Sequence, residues 1–217
     1  MPSLHIGKGR SQLAQALRRR RLIQFSRRFE DSPVRGYVLD IGPRFFMLAL
    51  VSDRIWFDGF ECFRLGDVSE VRPDPYSRFA EAALRRRAEG IPRKPRVSVA
   101  SIEELLLSAN RVFPLVTIHR EQVDPDVCFI GRVLGIGRGS VSLLEIRPDA
   151  TWDEKPSEYR LSEITRVNFG GDYEDALVLV GGSAQANKAS DRTRASTSRH
   201  GRGVVGAGRS TPGREKR

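Results

Sequence analysis

The hydrophobic and polar positions of this chain follow a pattern that occurs twice. Residues 36–42, Gly-Tyr-Val-Leu-Asp-Ile-Gly, return as residues 131–137, Gly-Arg-Val-Leu-Gly-Ile-Gly, and residues 63–71 return in the same way as residues 159–167. The apolar and turn-forming positions are retained between the two copies, whereas most of the charged positions differ. The pattern therefore predicts two units that share a scaffold and differ in their surfaces.

Each unit contains short runs of β-branched and aromatic residues separated by turn residues, which is the pattern of strands. In the first unit these runs predict strands at residues 22–25, 35–41, 45–51 and 60–65. Leu65, Val68 and Val71 are spaced by three, as are their counterparts in the second unit. This spacing predicts one 3-10 turn before a short fifth strand. Five short strands bury an apolar face only by curling into a barrel or by packing against a partner.

Helices are predicted on both sides of each set of strands. Leu13 and Leu17 lie one helical turn apart and predict a helix over residues 10–21. Ser101, followed three residues later by Glu104, has the form of a capping box and predicts a helix to about residue 109. Further helices are predicted at residues 76–89 and 172–180. Each unit is therefore expected to run helix, five strands, helix.

Three residues of the first unit have the order of a known motif. Gly36 and Asp40 lie on the predicted second strand, and Met47 follows the turn after it. Together with a short helix and five strands, they resemble the Sm-like or, more broadly, SH3-like small barrels. Leu48 stands where the Sm family has its base-binding Asn. The resemblance therefore implies the fold: mainly β with short helices, in two tandem five-stranded SH3-like or Sm-like barrels, each preceded and followed by a short helix.

Composition divides the chain into four segments. We predict a first helix-barrel-helix unit at residues 1–90, a proline-rich basic linker at 91–100, a second unit at 101–180 and a tail at 181–217. The tail has no aromatic residue and consists mostly of Gly, Ser, Ala, Thr and Arg. Such a composition buries too little apolar area to offset the entropy of ordering, so the tail is predicted to be disordered.

The net charge of +10 is unevenly distributed. Basic residues outnumber acidic ones in residues 1–110 and in the tail, whereas acidic residues outnumber basic ones in residues 111–180. A basic surface of this kind is typical of proteins that contact the phosphate backbone of RNA or DNA. The candidate phosphate-contacting residues are Arg18, Arg19, Arg20, Arg21, Arg27, Arg28 and Arg44. The tail is an additional candidate, or else a solubilising extension with no partner.

Several other side chains have the chemistry for binding or catalysis. Trp56 and Trp152 occupy equivalent places between the third and fourth strands, where an aromatic ring stacks on a base or covers the end of a barrel. Cys128 and His119 would form a nucleophilic pair, but the first unit has no counterpart of it, and we predict no catalytic residue. An acidic run before the last strands is expected to be solvated, or to bind a cation or a basic partner segment. It comprises Asp149, Asp153, Glu154 and Glu158.

The remaining composition argues against several classes of protein. Two cysteines, Cys62 and Cys128, suit neither a disulfide framework nor a zinc site, and we expect no cofactor, metal or small-molecule substrate. No apolar run is long enough for a transmembrane helix, and the first residues lack the apolar segment of a signal peptide. We expect a non-catalytic cytoplasmic protein that binds RNA or other nucleic acid through its basic first unit and tail. The alternative is a scaffold module that binds another protein or itself through exposed strand edges.

Overall fold

The computed structural model describes residues 3–29 and 32–184, and in these residues helices flank two successive sets of five strands. The helices are α1 (Ser3–Arg19), α2 (Ser77–Arg86), α3 (Ile102–Val112) and α4 (Asp172–Gly181). The first five strands are β1 (Leu22–Arg27), β2 (Val34–Ile41), β3 (Phe45–Val51), β4 (Phe57–Arg64) and β5 (Val68–Pro73). The second five are β6 (Val116–His119), β7 (Cys128–Gly137), β8 (Ser140–Glu145), β9 (Ser157–Arg160) and β10 (Arg166–Phe169).

All ten strands belong to one antiparallel sheet. Their order across the sheet is β5-β1-β2-β3-β4-β10-β6-β7-β8-β9, so each repeat supplies one half. The halves meet where β4 pairs with β10, with Cys62 opposite Val167 and Phe60 opposite Phe169. The fifth strand of the first repeat and the fourth strand of the second repeat lie at the two ends of the sheet.

The expectation of two tandem SH3-like or Sm-like barrels is wrong, because the ten strands form a single open sheet. In the expected barrels each repeat would have buried its apolar surface by curling on itself. Instead, β4 uses its outer edge to pair with β10 of the other repeat. Phe45, Met47 and Cys62 then pack into one core with Val116 and Ile118 of the second repeat. Joining the repeats thus buries these apolar side chains of β3 and β4 against the second repeat.

Several local predictions are confirmed. A 3-10 turn precedes the last strand of each repeat, at Leu65–Asp67 and at Leu161–Glu163. The hydroxyl of Ser101 accepts a hydrogen bond from the backbone N–H of Glu104 at 3.1 Å and so caps α3. The mainly β composition with flanking helices is also confirmed, although α1 begins at Ser3 and is longer than predicted.

The segment boundaries predicted at residues 90, 100 and 180 stay predictions. In the structure α4 ends at Gly181. The predicted disorder of the tail lies, from residue 185 onward, outside the described residues. Among the described helices, none is long and apolar enough to cross a membrane.

The two largest cores occupy corresponding places in the repeats. Under α1, Leu13 packs with Phe25, Phe46 and Phe63, and the Phe25 ring lies 4.9 Å from the Phe63 ring, edge to face. Under α3, Leu105 and the strands of the second repeat form the other core, which also receives the side chains from β3 and β4. Each fully buried Leu or Phe side chain contributes about 1.5–3 kcal/mol. The second core is therefore shared between the repeats, while the first belongs to one repeat.

Candidate nucleic-acid interface

The run of four arginines divides at the end of α1. The helix ends at Arg19, and Arg20 adopts a positive φ of 48°. The backbone N–H groups of Arg20 and Arg21 donate to the carbonyls of Leu17 and Ala16, at 3.2 and 3.1 Å. This turn sends successive side chains to different places. Arg19 and Arg21 line a cavity between α1 and β5, whereas Arg20 lines a groove between α1 and the linker.

Two adjoining grooves follow the linker between the repeats. The first, of about 340 Å³, lies between α1, β2 and the linker, with Tyr37 among its lining residues. The second, of about 580 Å³, lies between the turn after β2, the linker and α3. Both grooves include Lys94, so we describe them together as the linker track. The cations of the linker track are Arg20, Arg93, Lys94, Arg96 and Arg111.

The linker track carries an excess of positive charge. Among its described lining residues, Asp40 supplies the one carboxylate, and this carboxylate pairs with Lys94. Arg10, on α1, approaches the same region and donates to the Gly42 carbonyl at 2.8 Å. The side chains of Arg20 and Arg93 are exposed. A concave surface lined by cations concentrates the positive potential and attracts anions.

The other candidate arginines lie in different surroundings. Arg18 and Arg44 are exposed. Arg28 is exposed as well and lies 3.6 Å from the carboxylate of Asp67. Arg27, in contrast, is buried, and its guanidinium pairs with Glu121 of the second repeat. A side chain in that position cannot reach a phosphate, so Arg27 belongs to the contact between the repeats.

Sequence reasoning missed most of the linker track. Residues 93–96 belong to the predicted basic linker, and their charge is the signal that the sequence offers. Arg111 had no such signal, because it is a single arginine at the end of a helix. Only the folded chain brings Arg20 and Arg111 into two grooves that share Lys94 of the linker.

The two tryptophans occupy similar positions in their repeats. The Arg87 guanidinium, at the end of α2, lies 4.5 Å above the Trp56 ring. The indole N–H of Trp152 donates to the carbonyl of Gly182, at the end of α4, at 3.3 Å. Each ring therefore contacts the end of the helix that follows its repeat. Trp56 remains 42% exposed, so base stacking by this ring stays a prediction.

His119 and Cys128 lie opposite each other on β6 and β7, beside a cleft of about 200 Å³. Burial, and then the positive charges of Arg166 and Arg27, lower the pKa of His119 to about 2. Burial also raises the pKa of the Cys128 thiol. A nucleophilic cysteine needs a stabilised thiolate and a histidine able to accept its proton. Both pKa values are displaced away from that chemistry.

Comparison with known proteins finds no matching family model, no similar curated protein and no similar solved structure. The resemblance to Sm-like and SH3-like barrels is therefore unsupported by any relative and contradicted by the open sheet. Within residues 3–29 and 32–184, no three His, Cys, Asp or Glu side chains are grouped so as to hold a metal ion. The evidence on function therefore comes from the grooves and charged side chains of the chain itself.

Proposed function

We propose that this protein binds nucleic acid, in the first place RNA, by neutralising backbone phosphates along the linker track. One observation carries the proposal: five cations line two adjoining grooves in which Asp40 is the one carboxylate among the described lining residues. Each cation that contacts a phosphate releases condensed counterions, which drives binding without any requirement for sequence. The net charge of +10 acts in the same direction at longer range.

The chemistry of the linker track favours recognition of the backbone over recognition of bases. Arginine and lysine bind phosphate oxygens, whereas bases are read by hydrogen bonds to their edges or by stacking on exposed aromatic rings. Tyr37, which lines the first groove, is only 4% exposed and offers no free ring face. We therefore propose binding with little sequence preference.

We further propose that the protein is non-catalytic and works in the cytoplasm. Cys62 and Cys128 are both free thiols, as expected in a reducing compartment. The low pKa of His119 and the raised pKa of the Cys128 thiol support a binding role over nucleophilic catalysis.

Binding of a labelled single-stranded RNA, followed by fluorescence anisotropy over a range of salt concentrations, tests the proposal. The track variant carries Arg93→Gln, Lys94→Gln and Arg96→Gln together. We expect the slope of log Kobs against log salt to become shallower by about 2, since three phosphate contacts are lost. The affinity should fall by a similar factor for RNAs of unrelated sequence, because the contacts are made to the backbone.

A matched control removes the same charge from α2, where Arg78, Arg85 and Arg86 are exposed. The triple Gln variant of these residues should keep the slope of the wild-type protein. Both variants retain residues 185–217, so any contribution of the tail cancels. An equal loss in the two variants, or wild-type binding that is insensitive to salt, contradicts the proposal.

A protein-interaction role is favoured by a separate feature of the structure, the two ends of the sheet. This feature involves neither the linker nor the cations of the linker track, so both roles are compatible within one chain.

A further inference from the structure

The ends of the sheet carry the counterparts of the two strands that meet at its centre. At the centre, β4 is the fourth strand of the first repeat and β10 is the fifth strand of the second. At the ends, β9 is the fourth strand of the second repeat and β5 is the fifth strand of the first. Within residues 3–29 and 32–184, no strand covers the outer edge of either end strand. Unpaired backbone N–H and C=O groups on such edges are a template for another strand.

We propose that β9 of one copy of this chain pairs with β5 of a second copy, repeating between chains the central pairing of β4 with β10. The sequence repeat predicts the register, because Phe63 corresponds to Tyr159 and Val71 corresponds to Val167. The central pair of Cys62 and Val167 then becomes Glu158 of one copy opposite Val71 of the other.

The surroundings of Val71 suit a carboxylate. Residues directly opposite each other on antiparallel strands point to the same face of the sheet. On the face to which Val71 points, α1 and β5 enclose a cavity of about 70 Å³, and Arg19 and Arg21 are among its lining residues. The incoming Glu158 side chain is thus directed toward two guanidinium groups.

Glu158 is presented in a suitable form at the opposite end of the sheet. Its side chain is exposed on β9, and its carboxylate accepts a hydrogen bond from the hydroxyl of Ser140 at 2.7 Å. Ser140 and Ser142 donate hydrogen bonds that lower the pKa of Glu158. The carboxylate is therefore ionised at neutral pH and held on the outer face of the strand. The acidic run noted in the sequence places Glu154 in the loop before this strand, which adds to the negative charge there.

The contact between chains differs in character from the central one. The central contact buries Phe45, Met47 and Cys62 in the shared core. Their counterparts on β8 and β9 are polar or charged: Ser140, Ser142 and Glu158. Attraction between separated charges is screened by salt, whereas apolar burial is not. The association between chains is therefore reversible and weakens as salt is added. It is also heterologous, since each copy contributes a different edge.

Size-exclusion chromatography with light scattering, on the nuclease-treated full chain over a concentration series, tests this association. At low salt the mass of the wild-type protein should rise with concentration, and at high salt it should return to that of one chain. Glu158→Arg and Arg21→Glu should each weaken the association by at least about 30-fold, because each places like charges together at the contact. Asp126→Arg makes the same change of charge in the exposed connection between β6 and β7 and should associate as the wild type does.

Mixing the two interface variants distinguishes a head-to-tail contact from a symmetric one. The Glu158→Arg chain retains an unaltered β5 edge with Arg21 beside it, and the Arg21→Glu chain retains an unaltered β9 edge. Each variant alone should be monomeric, while their mixture should form complexes of at least two chains. A monomeric wild type at every concentration, wild-type association by either variant, or a mixture that stays monomeric overturns the inference. Both substitutions lie outside the linker track, so failure here leaves the RNA-binding proposal intact, and the reverse holds as well.

Discussion

Two arginines at equivalent positions of the repeats make the same contact in different surroundings. Arg27 ends the first strand of its repeat, and its guanidinium lies 4.8 Å above the Phe63 ring. Arg120 follows the first strand of the second repeat, and its guanidinium lies 4.9 Å above the Tyr159 ring. Phe63 and Tyr159 are themselves counterparts. The duplicated scaffold therefore retains the same cation–aromatic contact in both halves.

The carboxylates that complete these two contacts differ in exposure. Arg27 pairs with Glu121, and the two side chains are 0% and 4% exposed, because the junction between the repeats covers them. Arg120 pairs with Glu163 at 2.8 Å near the end of the sheet formed by β9, where the side chains are 20% and 25% exposed. Burial raises the cost of leaving one partner without the other. The arginine of the first repeat is thus part of a buried ion pair between the repeats. Its counterpart in the second repeat is part of a partly solvent-accessible ion pair.

The largest expected effect comes from breaking the buried pair. Glu121→Gln removes the buried carboxylate that pairs with the Arg27 guanidinium and should lower the free energy of unfolding by about 3–5 kcal/mol. The matched substitution Glu163→Gln should cost no more than about 1 kcal/mol, because its pair is partly solvated. Urea denaturation of the two variants provides the measurement. Equal losses would show that the junction does not distinguish the two ion pairs.

Exchanging Met47 and its counterpart Ser142 tests how much each position contributes to stability. Met47→Ser removes a fully buried side chain from the shared core and should cost about 2–5 kcal/mol. Ser142→Met makes the reverse substitution at the corresponding position on β8, next to the end strand β9. It should change the free energy of unfolding by no more than about 0.5 kcal/mol. Thermal and urea unfolding measure both effects. A large loss from Ser142→Met would mean that this face is already packed in the single chain.

A smaller effect on stability is expected from the protonation of His119, whose counterpart in the first repeat is Ser26. Because its pKa falls to about 2 in the folded protein, His119 stays neutral there but gains a proton in the unfolded chain below the usual value of 6.5. The unfolded state is then favoured, so the free energy of unfolding should fall by about 1.4 kcal/mol per pH unit below that value. Urea unfolding between about pH 7.5 and 5.5 measures this slope. His119→Gln should flatten it, and an unchanged slope would place its origin elsewhere.

The local structure was largely accessible from the sequence. The spacing of Leu65, Val68 and Val71 predicted a 3-10 turn, and the Ser101–Glu104 pattern predicted a helix cap. These features depend on residues close together in the chain, where the backbone geometry is set by a few side chains and turns. The same reasoning wrongly predicted two barrels, because the residues of a strand do not indicate which other strand pairs with each of its edges.

The candidate site was accessible in the same partial way. Positive charge in the first repeat and in the linker was visible, and so was the run of four arginines. The sequence did not show that Arg27 is buried against Glu121, since those residues are far apart in the chain. It also did not show that Arg20 and Arg111 line adjoining grooves along the linker. Both facts depend on contacts made only after the sheet has formed.

The sequence by itself determined the repeat, most of the strands, the turns before the last strand of each copy and the uneven charge. Hydrophobic periodicity and turn chemistry act over a few residues, and therefore they can be read directly. The tertiary structure alone decided that β4 meets β10, and with that pairing which arginines are buried and which face solvent. That outcome rests on where Phe45, Met47 and Cys62 can be buried, which is a balance of long-range contacts that no short stretch of sequence contains.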